Sequence, residues 1–404
     1  MIPCGVKKMK INNKFENKIK SLINKKKFIS VELQLLTNNE IINHSIFHAD
    51  HSRKKLSISD RPIYRIYSMT KPIVSLASLI ALEQKKLCLN DPVKKYLPYF
   101  DNIFVQLPSG KMEPLNRPIS ILDLLTHNSG LSYGFNFDCH IGRLYKKDKL
   151  IHKSDLSLAE FVSQISEYPI AFQPGNDWRY SLATDVLARV LEIIFDGTIE
   201  NILSKLIFTP LEMVDTGYFV SSDKSWRLMP IYGEPDLDNV ADKTSEKKQL
   251  HELNLENFYS PKEKSYKARG GHGLFSTVND YTKFCTALLQ EKYNNTNRII
   301  SKKLLNYALN YQIPNQQVPI KLNGEAHLGY GWNLLGRASL KKIRIDNNSY
   351  PDEFGWAGAA STYFWINPNL KTTGVVMTQH LGQEYPIGEK CYKIYRNTLH
   401  KQTQ

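Results

Sequence analysis

Phe15, Ile19, Leu22 and Ile23 recur at helical spacing within residues 11–24, with Lys14 and Lys18 off that stripe, so the chain opens on an expected amphipathic helix. Residues 28–36 and 41–47 are dense in β-branched and aromatic positions around the turn Thr37-Asn38-Asn39, which predicts two strands. From Tyr67 the pattern changes to a long helical run that ends near Lys86. Residues 90–265 read mostly as helices broken by Pro- and Gly-bearing turns. Within them, 234–264 is polar and poor in apolar periodicity, as expected of a long surface loop. A helix is predicted again at 278–289, then strand-like runs at 329–335, 361–366 and 373–379, and a closing helix at 385–399. Strands at both ends with helices between them predict one sheet shared by the two termini and interrupted by a helical lobe. The division expected is a Lys-rich helical extension (1–27) and a main domain (28–400). Of the latter, 28–90 and 265–400 form the sheet-bearing part and 91–264 the lobe. No repeat of solenoid length occurs.

Composition narrows the class. Of 404 residues 42% are hydrophobic and 23% charged, enough apolar matter for a substantial core, which excludes a disordered or fibrous chain. The net charge of +14 raises the question of a nucleic-acid or anionic-membrane partner. Residues 1–27, however, hold nine Lys against the single acid Glu16, so most of that charge is local. The expectation is no nucleic-acid partner, with a weak membrane-surface contact through residues 1–27 as the one use of the charge. The five cysteines are scattered with no CxxC pair, which fits reduced thiols and a cytoplasmic setting. No apolar stretch before Lys27 suits a signal peptide and no window suits a membrane span, so the Asn43, Asn294 and Asn347 sequons are expected to be idle.

The strongest chemical signal is Ser68-Met69-Thr70-Lys71, placed where a helix begins, with Pro72 in the first turn, where a missing N–H costs nothing. Three residues apart on a helix is one face, so the Lys71 amine reaches the Ser68 hydroxyl. A serine is a weak nucleophile and needs a base; a desolvated lysine of lowered pKa serves. The same spacing recurs at Ser221/Lys224, Ser245/Lys248 and Ser339/Lys342 in polar surroundings, so context decides.

That context is a series of segments: Ile66-Tyr67-Ser68-Met69-Thr70-Lys71-Pro72, Leu89-Asn90-Asp91-Pro92-Val93, Leu124-Leu125-Thr126-His127-Asn128-Ser129-Gly130-Leu131, Phe172-Gln173-Pro174-Gly175, Tyr180-Ser181-Leu182-Ala183, and Gly270-Gly271-His272-Gly273-Leu274-Phe275-Ser276-Thr277. In this order they resemble the serine β-lactamase/penicillin-binding-protein superfamily, and within it the class C-like branch with the family VIII carboxylesterases. The resemblance implies an α+β fold, a mainly antiparallel sheet flanked by helices plus a helical lobe, with the site between them. It also implies Tyr180 as general base together with Lys71. Where the family's Tyr-x-Asn motif has its amide this chain has Leu182, and where it has Lys-Thr-Gly this chain has Trp356-Ala357-Gly358, similar to the Trp-Gly-Gly of the esterase branch. Losing that Lys removes a cation suited to a substrate carboxylate. By the same resemblance, Trp356, Ala357 and Gly358 line the substrate, and the N–H groups of Ser68 and Ala359 form the oxyanion hole.

Other features are expected to be structural. His44, His48 and His51 have metal-like spacing but no carboxylate or Cys completes a set, so no metal is expected, and no cofactor. His127 reads as a hydrogen-bonded structural residue, and 270–273 as a glycine turn before a helix. Ser132, inside Gly130-Leu131-Ser132-Tyr133-Gly134, lacks the strand-before, helix-after setting of a nucleophile elbow. The expected function is a serine hydrolase acting through an acyl-enzyme on small esters. The alternatives are a β-lactamase or D,D-peptidase-type amidase, and a relative that binds without turnover.

Overall fold

The computed structural model describes residues 13–153, 155–234, 236–239, 250–253, 268–289, 298–311, 313–340, 353–382 and 386–400. Most of the loop expected at 234–264 lies outside the described residues, as do residues 1–12.

A seven-stranded antiparallel sheet organises the chain. Its strands are β1 (Ser30–Thr37), β2 (Glu40–His48), β3 (Tyr330–Trp332), β4 (Arg337–Ser339), β5 (Phe354–Gly358), β6 (Thr362–Asn367) and β7 (Thr372–Met377), in the order β3-β4-β5-β6-β7-β1-β2. The first hairpin turns on Asn38 and Asn39, both at positive φ, the conformation of a two-residue hairpin whose twist matches its strands. The join between the chain's two ends is the β1–β7 ladder, with Leu33 opposite Val376 and Leu35 opposite Gly374. The strand expected at 329–335 stops at Trp332. Asn333 Oδ1 accepts from the N–H groups of Leu335 and Gly336 at 2.8 and 2.9 Å and turns the chain, while Leu334 and Leu335 stay buried and prolong the apolar pattern.

Both sheet faces are covered, because alternate residues go to opposite sides. Towards one face point Val31, Leu33, Leu35, Tyr363, Trp365 and Val376, packed with helices α1 (Asn13–Asn24) and α5 (Ile387–His400) through Ile19, Leu22, Ile23, Cys391, Tyr392 and Tyr395. Ile19, Leu22 and Ile23 of the apolar stripe of α1 are therefore committed to the sheet, not to an anionic surface. Gly374 lies opposite Trp365, and a Cβ there would sit 2.1 Å from the indole ring, so the missing side chain makes the room the ring fills.

On the other face, Phe364, Ile366, Val375 and Met377 join the large core shared with α2 (Thr70–Glu83), α3 (Ala183–Phe195), α4 (Val278–Leu289) and the lobe. Two polar side chains of β1 also turn this way and are satisfied. Tyr64 donates to Glu32 at 2.7 Å, His44 Nε2 lies 2.8 Å from the same carboxylate, and Gln34 donates to Asn279. His44 is thus bound to Glu32 and His48 to the Leu56 carbonyl, so these histidines serve separate partners. Helix α2 is buried from Thr70 through Ala81, which makes it a central post rather than a surface helix. Among the described residues, Cys88, Cys139, Cys285 and Cys391 are free thiols, and no helix is long and apolar enough to cross a membrane.

Candidate active site

Ser68 sits in a single 3-10 turn, Tyr67–Met69, that leads directly into α2. Tyr67 takes φ +44°, a left-handed conformation unfavourable for a bulky residue, and is held by burial. The turn is pinned from both sides: Ile66 N donates to Leu274 O at 3.0 Å, and Tyr281 OH donates to Met69 O at 2.9 Å. Ser68 is half-buried at the start of a helix that is otherwise core.

One turn on, Lys71 is only 2% exposed. Its Nζ lies 3.3 Å from Ser68 Oγ, 2.8 Å from Tyr133 OH and 2.8 Å from the Gly271 carbonyl. Burial pushes its pKa down to about 7, with the Asp185 carboxylate opposing part of that shift. A carbonyl only accepts, so Gly271 O takes one amine hydrogen in either charge state. In the neutral amine, one hydrogen and the lone pair are then left for the two hydroxyls. Asp185 is fully buried near the head of α3 and accepts from Gly271 N at 3.0 Å; burial raises its pKa, while Lys71 draws it back.

Tyr180 enters from the loop before α3. Its hydroxyl lies on the Ser68 side and accepts from Trp356 Nε1 at 2.9 Å, and its ring face lies 4.7 Å from Lys71 Nζ. The pairing expected from the sequence, Tyr180 with Lys71, is thus realised ring to ammonium. The phenol itself is on the serine, and the phenol on the lysine is that of Tyr133. Burial holds the Tyr180 pKa well above that of a free phenol, so it stays protonated at neutral pH. His127 lies behind this group, buried, its Nδ1 3.1 Å from Ser181 Oγ and its ring 4.9 Å from those of Tyr180 and Trp332. Burial, then the Lys71 charge, drives its pKa far down and keeps it neutral. Ser132 is fully buried and accepts from Asn136 at 3.1 Å, which removes it as a nucleophile.

Strand β5 edges the same space. Trp356 turns towards Tyr180, with ring centroids 5.0 Å apart, whereas the next residue, Ala357, packs on the α5 side; Ala357, Gly358 and Ala359 together line a cavity of about 230 Å³ with Ile387 and Tyr363. Gly358 returns to the Ser68 side. A Cβ there would sit 2.3 Å from Thr362 Oγ1 and 2.4 Å from Ile66 O, so its smallness is what lets β5 close on the segment before the serine. The turn that follows, with Ala359, is held by His380 N and Thr378 Oγ1, both donating to Ala360 O. Leu182 is buried in the main core, in the position of the family's amide.

Tyr133, Gly271 and Asp185 were not singled out from the sequence. Tyr133 stands in the very pentapeptide considered for Ser132, but nothing local shows that its hydroxyl meets a lysine 62 positions away. Gly271 has a sharper signal: a Cβ there would lie 2.6 Å from Tyr133 OH, 2.7 Å from Asp185 Oδ2 and 3.2 Å from Lys71 Nζ. Gly271→Ala is therefore expected to displace this group and lower kcat by about 100-fold, with about 1–3 kcal/mol lost from overpacking. Steady-state kinetics beside a melting curve will separate the two effects.

A Ser–Lys pair at the start of a buried helix, with Tyr180 from a neighbouring loop and strand β5 beside it, defines a serine hydrolase. The chain belongs to the Beta-lactamase family, whose model matches residues 15–390. Protein Rv1367c of Mycobacterium tuberculosis is 28% identical over 326 residues, covering 79% of this chain and 77% of that protein. Esterase EstB of Burkholderia gladioli is 35% identical over 178 residues, 43% of each chain. Among solved structures, EstCE1, described as a hydrolase with promiscuous acyltransferase activity, superposes with a TM-score of 0.76 over 98% of this chain and all of that one, at 19% identity, a likeness of fold.

Proposed function

We propose that the chain hydrolyses small carboxylic esters through an acyl-enzyme on Ser68. The observation that carries this reading is the buried Lys71 amine, 3.3 Å from Ser68 Oγ and depressed to about 7, so that a large share of it is neutral at physiological pH. Ser68 Oγ attacks the ester carbonyl as its proton passes to Lys71 Nζ. The N–H groups of Ser68 and Ala359 receive the oxyanion. Tyr180, whose hydroxyl lies on the Ser68 side, hands a proton to the departing alkoxide and is reprotonated from Lys71. Water then enters by the reverse route and releases the acid. Tyr133 and Gly271 hold the amine in place, and Trp356 fixes the Tyr180 hydroxyl.

Esters are favoured over β-lactams and D-amino-acid peptides because Trp356-Ala357-Gly358 offers no cation for a substrate carboxylate. The esterase relative supports the same reading. An alcohol in place of water would turn the same acyl-enzyme to acyl transfer, the second activity in the description of EstCE1.

A fluorophosphonate probe tests the nucleophile: the wild type is expected to be labelled and Ser68→Ala not, while Ser132→Ala keeps the label. No labelling of the wild type, under conditions where a reference serine hydrolase reacts, would end the catalytic reading. Nitrocefin turnover exceeding that of nitrophenyl acetate would replace the ester by a lactam.

A further inference from the structure

Residues 236–239 pack with three residues, Tyr67, Ala360 and Gly134, each one step from a group already assigned. Leu237, 6% exposed, shares an apolar cluster with Tyr67, Ile231, Ala360 and Leu381, and Ala359 packs against that cluster. Tyr67 precedes the nucleophile, and Ala359 carries the second N–H aimed at the oxyanion. Asp238, 2% exposed, presses on Gly134, the residue after Tyr133: a Cβ on that glycine would lie 2.2 Å from Asp238 Oδ1.

The segment is also tied. Within it, Asp238 N donates to Asp236 Oδ1 at 2.9 Å and Asn239 Nδ2 to Asp236 Oδ2 at 3.0 Å. From outside, His152 Nε2 lies 3.0 Å from Asp236 Oδ1 and 3.1 Å from Asp238 Oδ2, and Lys146 donates to Asn239 Oδ1 at 2.8 Å. Ile151, next to His152, packs against the same apolar cluster as Leu237.

We propose that residues 236–239 form a fixed wall of the substrate site, in which Leu237 limits the size of the apolar substrate group that passes the Ala359 turn, and that His152 is the positioning residue that latches this wall. The inference rests on the ester-hydrolysing reading and deepens it: the substrates favoured are esters whose group on that side is short and apolar.

The latch has a pH signature. The bond to Asp238, then the charges of Asp238 and Asp236, raise the His152 pKa. Among the described residues, the other charges near it include Lys146 on Asn239, Glu234, which accepts from Asp236 N, Lys149 and Lys153 on its own turn, and Arg269, which donates to the Lys153 and Leu156 carbonyls. A raised His pKa means that the ion pair is complete on the acid side and is lost as pH rises through the folded-state value. Lys71 also titrates, at about 7, but it acts on every ester alike. A ratio of kcat/KM values between long and short substrates therefore cancels Lys71 and reads the wall.

The experiment measures that ratio, octanoyl to acetyl nitrophenyl esters and octyl to methyl acetates, for wild type, Leu237→Ala, Leu237→Trp and His152→Gln. Leu237→Ala is expected to raise one of the two ratios by about tenfold or more and Leu237→Trp to lower the same one. His152→Gln is expected to raise it in part, chiefly through a lower KM for the long substrate, and to abolish the rise of the ratio with pH expected of the wild type. Ratios within about twofold of wild type in both series for both Leu237 variants overturn the wall. Selectivity that collapses with EDTA and returns with a divalent cation overturns the hydrogen-bonded latch. Labelling rates with short- and long-chain alkyl fluorophosphonates make the same comparison without turnover. A wild type that labels with chain-length selectivity but cleaves no ester counts against the ester reading alone, and one that labels with neither probe overturns both.

Discussion

Lys71→Met is expected to abolish ester turnover, by at least about 10³-fold in kcat, and at the same time to stabilise the protein at about pH 6. The two effects share one cause. In the folded chain the amine is buried with a pKa of about 7; in the unfolded chain it returns to the ordinary lysine value. Between those values the unfolded state binds the extra proton, so the contribution of Lys71 to stability rises with pH across that window. Below it, folding must bury an ammonium, at a cost on the order of 4 kcal/mol by the size of the shift. Methionine removes that cost and forfeits the bond to Gly271 O, worth about 1–3 kcal/mol as an unsatisfied acceptor. A net gain of about 1–3 kcal/mol is expected, visible as a higher melting temperature in acid than for the wild type, with the difference shrinking as pH rises. For the wild type, kcat/KM is expected to fall about tenfold per pH unit below about 7, as the base becomes protonated. A profile flat to pH 5 would place the base elsewhere.

Tyr180→Phe and Tyr133→Phe are expected to diverge although the two rings lie 5.3 Å apart. Tyr180 touches the nucleophile, so removing its hydroxyl breaks the proton path to the leaving group and lowers kcat by about 10²–10⁴-fold, leaving the acid limb where it was. It also strips Trp356 Nε1 of its acceptor, a loss of about 1 kcal/mol or more of stability. The Tyr133 hydroxyl accepts from the amine in its ammonium form and so favours that form. Tyr133→Phe should therefore lower the Lys71 pKa further and shift the acid limb to lower pH, with a loss in kcat of about tenfold. Full pH profiles of both variants check this; if Tyr133→Phe shows the larger kcat loss with an unmoved limb, the two phenols exchange roles.

What the sequence disclosed about the site follows the range of each contact. Ser68 and Lys71 are legible because a three-residue spacing on a helix is itself a geometry. Tyr180, Trp356 and Gly358 needed the likeness of whole segments to a family, since nothing near them in the chain says that they meet. Tyr133 and Asp185 reach Lys71 across the lobe, and their segments read locally as a glycine-bounded loop and as an acid in a first helical turn. Ala357 shows a limit of reading a tripeptide as a unit: on a strand its neighbours Trp356 and Gly358 face one way and it faces the other. In the fold, β1, β2, β6 and β7 were legible from dense apolar runs. β3 falls within the run expected at 329–335, whereas β4, three residues long, is too short to display a period and exists because β3 and β5 pair with it. The amphipathic pattern of α1 was plain, but whether its stripe met lipid, a partner or the sheet depended on β1 and β7 being adjacent.

That adjacency governs how the protein comes into being. Val376 is made more than three hundred residues after its partner Leu33, roughly twenty seconds to a minute at about 5–20 residues per second. Through that interval the β1–β2 hairpin has an open edge, and the core that the helices between the two residues share with β6 and β7 lacks its sheet side. Loss of the last few dozen residues would therefore leave the serine and its lysine intact in sequence, yet strand the first hairpin with an open edge for another chain to pair with.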